Sequence, residues 1–138
     1  MSGRLLGSVI VMWLLFAIAG VLNGVLRVYV LVPAIGEMPA HYVATAILCA
    51  VILVGSYVLV KIQALEKASV LLQVGTIWLV ATVIFEFIFG HYVVGHPWDR
   101  LLADYNVLQG RVWVLVLLAE LCGPLLCARF RARRRAMS

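Results

Sequence analysis

Residues 68–94, ASVLLQVGTIWLVATVIFEFIFGHYVV, decide what kind of chain this is. The run exceeds the roughly 17–25 residues an α-helix needs to cross a hydrocarbon core. Within it only Glu86 and His91 can carry charge near neutral pH. An ionisable side chain in hydrocarbon costs about 2.5–3.5 kcal/mol on insertion scales, so neither is there without a role.

Three further apolar runs flank this one: Leu5 to Val32, Tyr42 to Val60, and a last run through Val112 to Ala128. The chain is 65% hydrophobic and 12% charged, against roughly 45–50% and 25% in soluble domains. A water-soluble core could not hide that much apolar surface. The expected fold is an all-α membrane protein, a four-helix transmembrane bundle in one domain over residues 1–138. Its spans fall at about 5–32, 42–60, 68–94 and 108–128. The opening MSGRLLGSVIVMWLLFAIAG resembles a signal peptide, but its apolar run continues past Gly20 to Val32 and reads as a span.

Net charge is +5. With both termini on the cytoplasmic side, Arg4, Lys61, Lys67, Arg129, Arg131, Arg133, Arg134 and Arg135 lie inside, and Arg100 and Arg111 outside. That asymmetry satisfies the positive-inside rule and sets the orientation as N-in and C-in. The basic cytoplasmic tail, residues 129–138, then lies near lipid headgroups as a topology anchor, and no nucleic-acid partner is expected.

Polar residues in the spans fall into two groups. In the first span Gly20, Asn23, Gly24 and Arg27 recur at helical spacing on one stripe, and Gly20 with Gly24 would allow a neighbouring helix close. That helix should end at or before Pro33, leaving Ile35 to Met38 as an outer turn. Arg27 and Glu86 lie at similar depth, which suggests an ion pair at the centre of a cluster of Asn23, Arg27, Glu86 and His91. Outside it, Trp98, Leu101, Leu102 and Tyr105 share one side of a short interfacial helix over about 98–105, with Asp99, Arg100 and Asp104 on the other. Trp98, Asp99, Arg100, Asp104 and Tyr105 would form an outer lid.

The second group is Glu120 with Gly123, Pro124 and Cys127 on one face of the last span, where Gly-Pro should bend the helix. Glu120 is a candidate proton site in a transport cycle, or a protonated acid bonded to a freed backbone carbonyl or to another subunit. A faint repeat aligns Arg27–Pro33 with His91–Pro97 at an offset of 64.

The segment FE-x-x-x-G at Phe85–Gly90, W-x-x-L-x-x-DY at Trp98–Tyr105, and G-x-x-R at Gly24–Arg27 resemble a set of small bacterial four-span membrane proteins. The resemblance covers most of the chain and implies a multi-pass protein of the bacterial inner (plasma) membrane, with no activity attached. Some of that set carry arginine where His91 stands, which argues against a metal or haem ligand there.

Cys49, Cys122 and Cys127 form no CxxC pair, and His41 and His96 fall at span ends or in loops, so no metal and no cofactor are expected. No HExxH, nucleophile elbow or phosphate loop occurs. Glu86 and His91 are about 140° apart around a helix, which disfavours an acid/base pair and hence an intramembrane enzyme. The leading expectation is a structural or accessory subunit of a membrane assembly, embedded in the lipid bilayer beside copies of itself or a partner membrane protein. The alternative is a homo-oligomeric transporter or channel for a small ion or solute, using Glu120 or the Arg27/Glu86 cluster.

Overall fold

The computed structural model describes residues 1–103, 105–106, 108 and 112–138, all helix and connections, with no strand among them. Helix α1 (Gly3–Ile35) starts at Ser2, whose hydroxyl accepts from the Leu5 amide at 3.3 Å. Contrary to expectation it does not stop before Pro33. Residues Arg27–Leu31 form a π turn, in which the Val32 amide returns to the Arg27 carbonyl, and the helix closes over Val32–Ile35. A proline removes one amide and crowds the carbonyl a turn behind it; a widened turn just before it lets the helix continue.

Gly36 alone separates α1 from α2 (Glu37–Gln63), at φ 87°, a conformation that strains a residue with a side chain. Pro39 sits in the first turn of α2, where its missing amide is not needed, so the helix begins five residues before Tyr42. Helix α3 (Ala68–Val93) ends in a second π turn, Phe89–Val93. The two segments of the faint repeat thus both carry a π turn ahead of a proline. Helix α4 is Trp98–Ala103, shorter than the expected 98–105, and Asp104 lies outside the described residues.

Three helices, α1, α2 and α3, are long and apolar enough to cross a membrane. The fourth long helix, α5 (Val114–Met137), differs from the expected span of about 108–128. It starts later, and the basic tail continues it as helix. Glu120 and the arginines from 129 onward lower its apolar character. Exposed large apolar residues such as Leu22 (64%), Val54 (65%) and Ile88 (55%) cover the outside of α1–α3, as suits a membrane-embedded protein.

Inside, α2 packs on α1 and α5, and α5 on α3, so α5 lies between two helices that are consecutive in sequence. Val9, Phe16, Leu48, Ile52, Val74, Trp78 and Val116 form the core. The Trp78 ring meets Phe16 edge-on at 4.9 Å and donates its indole N–H to the Val9 carbonyl at 3.0 Å. A Cβ on Gly75 would stand 2.2 Å from the Leu121 carbonyl oxygen, so this glycine lets α3 and α5 touch backbone to backbone. Gly24 has nothing within 4 Å of such a Cβ and Gly20 only Leu48 at 4.0 Å; within this chain the pair admits no close helix.

Gln63 donates to Ser8 at 2.7 Å, and Arg135 pairs with Glu66 at 3.4 Å. Both termini and the 64–67 connection therefore share one end of the molecule. Gly36 and α4 occupy the other.

Candidate functional site

At the Gly36 end, α1, α2 and α3 enclose a cavity of about 150 Å³ whose polar lining is Asn23, Arg27, His41, Thr45 and Glu86, with Trp113 at its edge. Gly20 and Gly24 also line it: their missing side chains make room for the cavity. Asn23 is buried and donates from Nδ2 to the Ala44 carbonyl at 2.9 Å, joining α1 to α2. Its Oδ1 is buried with no hydrogen-bond partner. Such an acceptor costs about 1–3 kcal/mol unless something fills it.

Arg27 and Glu86 line the same cavity, as their depth in the sequence suggested, but no ion pair joins them among the described residues. Glu86 instead accepts the Tyr105 hydroxyl at 2.5 Å. This ties the chain beyond α4 down onto α3. The physical reason is geometric: a tyrosine nineteen residues on can fold back over the helix end, whereas Arg27 stands on a π turn of a separate helix.

His91 does not join the cluster. It lies on the second π turn with its ring stacked on Trp98, centroids 3.8 Å apart and planes at 15°, and its Nδ1 stands 2.8 Å from the His96 carbonyl. Phe87 stacks on Tyr105 at 5.9 Å and faces Trp98 at 6.2 Å. Leu101 presses on Gly90, where a Cβ would lie 2.7 Å from its Cδ2. Of the residues expected to form a lid, Trp98 and Tyr105 are thus packed against α3, while Asp99 and Arg100 are exposed.

His41, Thr45 and Trp113 are cavity residues that sequence reasoning missed. His41 is buried, and its Nε2 accepts the Val112 amide at 3.0 Å, linking α2 to the start of α5. A helix beginning at Glu37 puts His41, Ala44, Thr45 and Leu48 on one inward face. Placing the helix start at Tyr42 hid that face.

Glu120 is 2% exposed and sits apart from the cavity. Its Oε1 accepts from Thr82 Oγ1 at 2.7 Å, and Thr82 accepts the Trp13 indole N–H at 3.0 Å, so one chain of hydrogen bonds joins α1, α3 and α5. Oε2 is buried with no partner. The partner of Glu120 within this chain is a threonine donor, not the carbonyl freed by Pro124 that was one of the expected partners. Among the described residues no group of three or more His, Cys, Asp or Glu could hold a metal ion.

No protein-family model, curated protein or solved structure matches this chain.

Proposed function

We propose that this is a four-span integral membrane protein, a four-helix transmembrane bundle with N- and C-termini in the cytoplasm, whose outer cavity binds a small polar solute or ion. The unpartnered Asn23 Oδ1 in the cavity wall carries the proposal. Arg27 offers only donors and Asn23 Oδ1 only an acceptor, so the fitting solute presents an anionic or acceptor group together with a donor. Trp98 and Tyr105 cover the outer end, and Glu120 is the candidate proton site at mid-membrane. Placement in the bacterial plasma membrane rests on the resemblance to small four-span proteins and on the arginine asymmetry.

The test uses a chain with Cys49, Cys122 and Cys127 replaced by alanine and a single cysteine at position 23. A membrane-impermeant thiol reagent added from outside should label Asn23→Cys and leave Glu120→Cys unmodified. Labelling of position 23 only from the cytoplasmic side, or not at all after denatured-state labelling proves the thiol present, refutes the outward cavity.

A second reading, an accessory subunit of a larger membrane assembly or homo-oligomer, draws support from a separate observation. Asn23, Trp13, Trp78, Thr82 and His41 all spend hydrogen bonds between helices or across connections. Such polar contacts hold small bundles together. Under that reading the protein should leave the membrane in a larger complex, and labelling at position 23 should be blocked until the complex is dissociated.

A further inference from the structure

At the opposite end of the molecule, where both termini and the 64–67 connection meet, a second cavity of about 440 Å³ opens between the start of α3 and the last turns of α5. Its floor is apolar: Leu71, fully buried, with Leu65 and Leu125. Its rim is cationic, with Arg129, Arg131 and Arg135. Arg131 uses one nitrogen on the Val60 carbonyl at 3.4 Å. Arg135 reaches Glu66 at 3.4 Å with both side chains largely exposed, a contact worth little in water. Arg129 makes no hydrogen bond or ion pair among the described residues.

An apolar floor beneath an arginine rim matches one kind of occupant. We propose that this groove holds an anionic phospholipid, its phosphodiester on Arg129 and Arg135 and its first methylenes against the partly exposed Leu65 and Leu125. Guanidinium groups bind phosphate oxygens bidentately. The lining carries three arginines against one carboxylate, Glu66, so a negative group is favoured. A polyanion such as nucleic acid would use the rim but leave the floor empty. The lipid site rests on the bundle lying across the membrane with this end at the cytoplasmic surface, and it uses no residue of the outer cavity.

The experiment compares two variants of equal charge. Arg129→Gln/Arg135→Gln removes the groove arginines that do not hold the fold, and Arg133→Gln/Arg134→Gln removes two neighbours outside the groove lining. Each protein is placed in nanodiscs of equal phosphatidylglycerol and phosphatidylcholine, released, and weighed by native mass spectrometry with its retained lipid. Phosphatidylglycerol should remain on the wild type, fall about tenfold on the groove variant, and stay on the control variant. Equal loss on both variants would reduce the effect to general surface charge and overturn the site. Equal retention of phosphatidylcholine, or displacement of the lipid by an RNA oligonucleotide, would overturn the lipid assignment. Helical circular dichroism of both variants checks folding, and a misfolded groove variant is replaced by Arg129→Gln alone, expected to lose about a third as much on a logarithmic scale or more.

Discussion

Replacing Gly75 with alanine should destabilise the protein, because the added Cβ meets backbone and not a movable side chain. It would lie 2.2 Å from the Leu121 oxygen, 2.8 Å from the Leu121 carbonyl carbon and 2.9 Å from the Glu120 oxygen. Restoring an ordinary carbon–oxygen contact requires α3 and α5 to part by about 1 Å. Overpacking of this kind costs about 1–3 kcal/mol, and with backbone on the far side the upper end applies. Alanine returns about 1 kcal/mol of helix propensity, leaving a net loss of about 2 kcal/mol. For a chain of this size that is a fall in Tm of roughly 8 °C. The same shift would strain the Thr82 to Glu120 hydrogen bond, since those residues belong to the two helices being separated. Differential scanning fluorimetry of purified protein, with Gly7→Ala as control, measures it. Gly7 has nothing within 4 Å of an added Cβ, so its alanine should be neutral or slightly stabilising. Equal Tm values for the two variants would refute the backbone contact between α3 and α5.

Thr82→Val should cost about 1 kcal/mol, since it strips the Trp13 indole of its acceptor and Glu120 of its donor; a double-mutant cycle with Glu120→Ala, which removes the accepting oxygen, should return a coupling of about 0.6–1.7 kcal/mol, and zero coupling would dissolve the network. Tyr105→Phe removes the hydroxyl held by Glu86, so hydrogen exchange over residues 98–103 should quicken while α1 and α2 stay protected. Unchanged exchange there would mean that this hydroxyl does not hold the segment in place. Arg135→Gln should shift stability by less than about 0.5 kcal/mol, because its pair with Glu66 is exposed on both sides; a larger loss would mark a contact beyond that pair.

The sequence by itself determined the helical class, the positions of α1, α2 and α3 to within a few residues, and the depth at which Asn23, Arg27 and Glu86 meet. Apolar run length and helical spacing depend only on local chain geometry, and a cationic side chain in hydrocarbon has few places to go. The short helix after α3 was legible for the same reason, from the period of Trp98, Leu101 and Leu102, although it ends at Ala103, before Tyr105. Which partner each polar atom takes was decided by tertiary structure. Glu86 is bonded by Tyr105 and not by Arg27, His91 is drawn under Trp98 and away from the cluster, and Glu120 is bonded by Thr82 across two helices. The π turns at Arg27–Leu31 and Phe89–Val93 rotate the residues beyond them relative to a regular helix, so a face drawn at 100° per residue does not carry through. The cavity itself arises from packing order. With α5 between α2 and α3, the small residues Gly20 and Gly24 meet no neighbouring backbone, and the space they leave becomes a polar pocket lined by His41 and Thr45.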